Sequence, residues 1–132
     1  MITREGLVGR VGPVFKHDAI VLLIIDPASH LDVMVQRTQV RSLLSGLGGV
    51  RYPALEHLQF LTRMEYMKKE SEIALQDMIV TSGMDQLYPA GILVGSVEAI
   101  KLGPQGIFMR ADVLPAVDFS KVKEVLILKR QK

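Results

Sequence analysis

The stretch MIVTSGMDQLYPAGILVGSVEAI, Met78–Ile100, decides the fold class of this chain. Met78 to Thr81 is apolar and β-prone, and Ser82-Gly83 stops it. Tyr88-Pro89-Ala90-Gly91 has Pro second and Gly fourth, as a type I turn prefers. Ile92, Val94 and Val97 resume the apolar pattern, and Gly95 inside that run predicts a bulge or a close backbone approach. The whole reads as strand, tight connection, strand. It carries no obvious acid, base or nucleophile arrangement, so its information is about shape.

Working outward, the same grammar of short strands and turns continues. Gly6 to Phe15 reads as a strand bent by its glycines, and Lys16-His17-Asp18 as a polar turn. Ala19 to Ile25 is a continuous Val/Ile-rich run, expected to be a strand buried on both faces. Asp26-Pro27-Ala28-Ser29 ends it. Leu31 to Arg37 alternates, with Leu31, Val33 and Val35 on one side and Asp32, Met34 and Gln36 on the other, the period of a half-buried strand. These two runs are expected to pair as a hairpin. Val40 to Leu44 is a further strand and Ser45 to Gly49 a flexible connection. Val50 to Leu58 is ambiguous, broken by Pro53. Gln59 to Met67 alternates imperfectly and is read as a strand, with a helix over Leu55 to Lys69 as its competitor. Lys68 to Glu72 is a solvated turn. After Ile100 come the turn Gly103-Pro104-Gln105-Gly106, a strand from Ile107 to Leu114 stopped by Pro115, one helical turn from Asp118 to Lys121 and a last strand from Val122 to Leu128. Strands this short predict an all-β antiparallel barrel or sandwich, as one unit or two small barrels. We place residues 1–5 as a tail, 6–128 as the β-rich region with no internal boundary assigned, and 129–132 as a second tail.

Composition narrows the function classes. With 132 residues and a hydrophobic fraction of 48%, the chain is a globular one and is not disordered. The net charge of +2 comes from interspersed acids and bases, with aromatics at 5%, which argues against a basic stripe for nucleic acid. The absence of cysteine excludes disulfides, cysteine zinc sites and thiol nucleophiles. No run reaches the about 18 apolar residues of a membrane span, and the start lacks a signal-peptide core.

Candidate chemistry is sparse. His17, His30 and His57 lack paired metal-ligand spacing. Ser29, His30 and Asp32 invite a triad reading, but triads are built from distant segments, so a polar turn is favoured. Thr81-Ser82-Gly83 lacks the nucleophile-elbow pattern, and Gly46-Leu47-Gly48-Gly49 lacks the Lys-Ser/Thr of a phosphate loop. Asp26, Asp77 and Asp118 each sit beside a turn. We therefore assign no catalytic residue, cofactor or metal. Leu87, Tyr88 and Pro89 are the candidate partner-binding residues, an apolar loop tip with a tyrosine anchor; the alternative is that Tyr88 packs beneath its own loop.

Several phrases in order carry a resemblance. They are Gly6-Leu7-Val8-Gly9-Arg10-Val11, Val21-Leu22-Leu23-Ile24-Ile25-Asp26, Val33-Met34-Val35-Gln36-Arg37, Glu65-Tyr66-Met67, Val80-Thr81-Ser82-Gly83, Tyr88-Pro89-Ala90-Gly91, Val94-Gly95-Ser96-Val97 and, at the end, Pro115-Ala116-Val117-Asp118-Phe119-Ser120 with Val125-Leu126-Ile127-Leu128. This series resembles the C-terminal half of the rod shape-determining MreC family over nearly the whole chain. The resemblance implies a non-enzymatic scaffold of the bacterial cell-elongation machinery, on the periplasmic side of the inner membrane, organising peptidoglycan synthesis. It implies self-association as dimers or filaments, and MreD, MreB, RodA and the elongation transpeptidase as partners, with no nucleic acid and no membrane contact through this segment. It also implies that the family's membrane helix, coiled coil and first strands lie outside this chain, which is then expected to be a fragment with one open sheet edge. Two departures bear on turns: Asp85-Gln86 stands where the family usually has Gly-Gly, and Gln76 where it has Gly. The competing readings are a hydrolase or glycan-processing domain, favoured by a cleft holding His30 or His57 against Asp and Ser, and a ligand-binding barrel with an internal pocket.

Overall fold

The computed structural model describes residues 1–3, 5–51, 58–68, 71–103, 106, 108–119 and 125–127. Every element among them is a strand: β1 (Gly9–Val14), β2 (Ala19–Leu23), β3 (His30–Val35), β4 (Arg41–Arg51), β5 (Leu58–Lys68), β6 (Met78–Thr81), β7 (Leu93–Leu102) and β8 (Phe108–Pro115). Strands β3 to β8 close into an antiparallel barrel in the order β3-β4-β5-β8-β7-β6, and β1-β2 form a separate two-stranded sheet. The all-β barrel expectation holds.

Alternation builds the barrel interior. Leu31, Val33 and Val35 of β3 are buried, as their period requires, and meet Leu44, Met64, Met67, Ile79, Val94, Val97, Ala111 and Val113. A barrel of six strands leaves room for side chains and nothing else, which suits this Val-rich set. Burying each of these Val, Leu, Ile and Met side chains stabilises the fold by roughly 1.5–3 kcal/mol. Two threonines share the interior with their hydroxyls satisfied: Thr62 donates to the Val113 carbonyl at 2.8 Å and Thr81 to the Pro89 carbonyl at 2.6 Å.

Several expectations are corrected. β2 pairs with β1, not with β3, whose neighbours are β4 and β6. β2 is not buried on both faces: Ala19 and Ile20 are exposed, and only Ile24 and Ile25, beyond its end, are buried. A two-stranded sheet offers no second layer to cover both of its faces. Ser45 to Gly49 is not a flexible connection but the middle of the 11-residue β4. Two of its glycines serve different needs, close approach at Gly46 and a left-handed backbone at Gly48. A Cβ on Gly46 would run into the Ile25 and Asp26 backbone, and Gly48, at φ 69°, occupies a bulge and donates its N–H to the Ile25 carbonyl at 2.7 Å. This contact seats the chain leaving the hairpin against the barrel wall.

β5 is a strand, paired with β4 and β8, which overturns the helical competitor. Its imperfect alternation comes from a bulge between Met64 and Met67 that shifts the inward period by one residue. Gly95 fulfils both of its expectations. It adjoins the register shift between Ile79 and Val80, and a Cβ there would strike the Leu114 carbonyl. Gly91 has φ 86°, so the turn centres on Ala90 and Gly91, with the glycine third as in a type II turn rather than fourth as in type I. The readings at Pro53 and His57, at 104–105 and 120–124, and at 128–132 lie outside the described residues, as does the middle of the 68–72 turn. Leu126 forms a bridge with Ile2.

The Gly46 contact yields a direct test. Gly46→Ala is expected to destabilise the chain by about 3 kcal/mol, since the obstructing atoms are backbone and have nowhere to go. Urea unfolding measures it, and a midpoint unchanged from wild type would mean that the two sheets do not meet there.

Candidate interaction surface

The loop from Ser82 to Ile92 is held by Asp32 of β3. The Asp32 carboxylate accepts Ser82 Oγ at 2.6 Å and both Arg41 Nε (3.3 Å) and Nη2 (2.9 Å). Its backbone N–H donates to Asp85 Oδ2 at 3.1 Å, and its carbonyl accepts the Ser82 N–H at 3.1 Å. The other Asp85 oxygen takes the Leu87 N–H at 3.1 Å, closing an Asx-type turn. Thr81 finishes the loop, accepting the Ile92 N–H on its hydroxyl and the Gly91 N–H on its carbonyl. The Arg41 hydrogen bond, before any other cause, holds the Asp32 carboxyl below its ordinary value of 3.8. In the same way Arg37 holds down Asp77, which also receives the Ala74 N–H.

This framework sorts the three candidate partner-binding residues. Leu87 is 45% exposed and Pro89 is exposed, but Tyr88 is only 6% exposed and joins the core cluster. Burial pushes its hydroxyl pKa up. Tyr88 is therefore the floor beneath the loop, not its tip. Leu87, Tyr88 and Pro89 line a groove of about 290 Å³ together with Leu7, Arg10, Val11 and Ile127.

Ser29, His30 and Asp32, weighed as a triad, do not meet one another, although Asp32 is hydrogen-bonded to Ser82, the other serine considered. Ser29 is buried in its turn, His30 Nδ1 lies 2.9 Å from Ser45 Oγ, and Asp32 is taken by Arg41 and Ser82. His17 is exposed on the hairpin turn. Among the described residues no group of three His, Asp or Glu side chains could hold a metal, and no helix is long and apolar enough to cross a membrane.

One exposed feature escaped sequence reasoning. Tyr66 and Phe108 form an edge-to-face pair on the outer barrel wall, with ring centroids 6.0 Å apart and planes at 80°. The broken alternation at Glu65-Tyr66-Met67 was its signal.

Against known proteins, a family model described as the barrel core of rod shape-determining protein MreC matches residues 1–129. The chain belongs to the MreC family. It is 30% identical over 128 residues to the cell shape-determining protein MreC of Escherichia coli (strain K12), covering 97% of this chain and 32% of that protein. It is 34% identical over 96 residues to that of Caulobacter vibrioides, covering 73% and 25%. The chain thus spans about a third or less of the length of these curated relatives. Among solved structures, MreC from Pseudomonas aeruginosa matches with a TM-score of 0.74 at 27% identity, covering 87% of this chain and 68% of that one. A chain from a complex between penicillin-binding protein PBP2 and MreC of Helicobacter pylori shares the fold, with a TM-score of 0.59 at 20% identity, covering 80% and 59%.

Gln76 and Gln86, which the resemblance sets against glycines, keep a glycine-like backbone. Gln76 has φ 68° and Gln86 φ 59°, left-handed values that cost an L-residue about 1–2 kcal/mol. Gln76→Gly and Gln86→Gly are each expected to stabilise by roughly 0.5–1 kcal/mol after the extra freedom glycine gives the unfolded chain. Thermal unfolding reads this, and a lowered Tm in both would contradict it. A second expectation concerns pH. Asp32 and Asp77 have depressed folded pKa values, so their contribution is complete above the unfolded value near 3.8 and is lost as pH falls through the lower folded values. Stability attributable to them is flat from neutrality to about pH 5 and declines below about pH 4. In Asp32→Asn and Asp77→Asn that part of the decline is expected to disappear from acid titrations of unfolding.

Proposed function

We propose that this chain is part of a non-enzymatic scaffold of the bacterial cell-elongation machinery, which helps determine rod shape by organising peptidoglycan synthesis. One observation carries the reading: the MreC barrel-core match runs over residues 1–129, and within them β3 to β8 close into a barrel in a chain that shares its fold with MreC from Pseudomonas aeruginosa. The relatives are named for cell-shape determination, and one solved neighbour is a complex of PBP2 with MreC. These support an elongation transpeptidase as a partner. On the resemblance we add MreD, MreB, RodA and further copies of the protein as proposed partners, and the periplasmic face of the inner membrane as the proposed location.

In this reading the barrel is a rigid mount, and Leu87 and Pro89, held out by the Asp32–Asp85 network, contact a partner along the groove beside β1. Tyr88 supports them from below. The two roles separate by mutation. Leu87→Asp is expected to leave the unfolding midpoint in place and weaken transpeptidase binding by about tenfold. Tyr88→Ala is expected to cost about 3 kcal/mol of stability, because it empties a core position. Equal binding by wild type and a folded Leu87→Asp would remove the loop from the interface. The function itself is tested by microscopy of cells depleted of the full-length protein. Rods should round up, and a membrane-anchored protein carrying this domain should restore them. Rods that stay unchanged after confirmed depletion would end the cell-shape reading.

A further inference from the structure

At the β5 bulge Met64 pairs with Ala111 and Met67 with Met109, so Glu65 and Tyr66 together face Arg110. Tyr66 adopts φ 61° there and its side chain is the most exposed of the large apolar ones, at 75%. A glycine or asparagine would take that backbone with less strain. Among the described residues, the one ring contact of Tyr66 is with Phe108, itself 44% exposed. The strain thus presents an aromatic face to solvent rather than filling a core.

Three cations share this wall with the rings. Lys68 is the register partner of Phe108, and Lys101 that of Arg110. All lie on the outer wall, since the alternate residues Ala111 and Val113 point into the core. Like charges directly opposite on a ladder repel. Arg37, Arg41 and Arg63 each hold a carboxylate, whereas among the described residues Lys68, Lys101 and Arg110 have no ion pair. Arg110 Nε is buried without a hydrogen-bond partner. The acids on these strands are Glu65 in the bulge, Glu98 on β7 and Asp112, which Arg63 engages.

We propose that this outer face binds an acidic polysaccharide. A sugar ring presents a flat array of C–H bonds that stacks on the open face of Tyr66, and its carboxylates pair with Lys68, Lys101 and Arg110. From β5 across β8 to β7 is about 10 Å at ordinary strand spacing, close to the length of a disaccharide. A protein partner fits less well: interface cores are depleted in lysine and need about 800 Å² per side, whereas here two rings sit among lysines. The proposal rests on the scaffold reading for its polymer, peptidoglycan, whose stem peptides carry free carboxylates beside the sugars, the lactyl carboxyl itself being used in the amide bond to the peptide.

The test is co-sedimentation of the chain with purified peptidoglycan sacculi at low salt. Wild type is expected to pellet, with affinity falling as salt rises. Tyr66→Ala should lose about tenfold, and the Lys68→Glu/Lys101→Glu double variant at least as much, with its salt dependence gone. Tyr66→Gly, which relieves the left-handed strain, should lose binding while gaining stability, so that loss is not unfolding. Chitin, with N-acetylated sugars but no carboxylate, should pellet far less protein. Wild type left in the supernatant, variants that pellet like wild type, or equal sedimentation with anionic phospholipid vesicles would each overturn the site. If the double variant fails to bind sacculi, its rescue of rod shape in depleted cells shows only that scaffolding does not need the glycan site. Failure of the wild-type protein to rescue would strike the scaffold reading instead.

Discussion

Closure of the barrel rests on the short seam between β3 and β6. β6 has four residues, and it meets β3 through the pairs Val33–Thr81, Met34–Val80 and Val35–Ile79. Without that seam β3 and β6 would be edges, and Leu31, Val33, Val35 and Ile79 would line an open sheet instead of a filled interior. Asp32 reinforces the seam at one end. It draws a hydroxyl from the β6–β7 loop and a guanidinium from β4 onto one carboxylate, so three segments are tied at a point that is one-quarter exposed. At the other end the Arg37–Asp77 pair bridges the same two strands' flanks. Single exposed ion pairs contribute little. These two matter because each is bidentate and is combined with backbone donors to the same carboxylate or its neighbours.

How much of this was legible in the sequence depends on what fixes each element. β3, β6 and β7 are set by local period and turn chemistry, and both signals lie in a few consecutive residues. The pairing of β2 is not local. Ala19 to Ile25 is apolar enough for a core strand, and the choice between β1 and β3 as its neighbour is made by Gly46, some twenty residues further along, whose missing Cβ lets Ile25 lie on the barrel wall. Glycine content read alone points to flexibility; glycine content opposite a backbone means contact. The β5 bulge was visible only as broken alternation, because the extra residue moves the inward side chain from the even to the odd positions.

The candidate surface divides in the same way. Leu87 to Pro89 was identified from composition, but which of the three faces solvent is decided by Asp85, through a backbone N–H on β3 that no local pattern reveals. Tyr88 then goes inward, where desolvation of its hydroxyl is the cost of filling the junction between loop and core. Tyr66 is the converse case, an aromatic that local pattern would send inward and that a bulge turns outward.

Where its strands are paired on both sides, the closed ring cannot recruit a partner by adding a strand, because those backbone donors and acceptors are already used. Recognition by the barrel must therefore use side chains on its outer wall or loops at its ends, which is where Tyr66, Phe108, Leu87 and Pro89 stand. The β1–β2 sheet is different. Its two strands pair only with each other along their described lengths, and Val14, Phe15 and Ile20 are exposed near its turn. That leaves backbone groups and apolar side chains together at one place, the combination that strand addition requires. In the proposed scaffold the two sheets would serve two modes of assembly, side-chain recognition on the barrel and backbone pairing on the hairpin. The glycine contact at Gly46 holds them in one fixed relation, so a partner on one sheet is presented at a defined distance from a partner on the other.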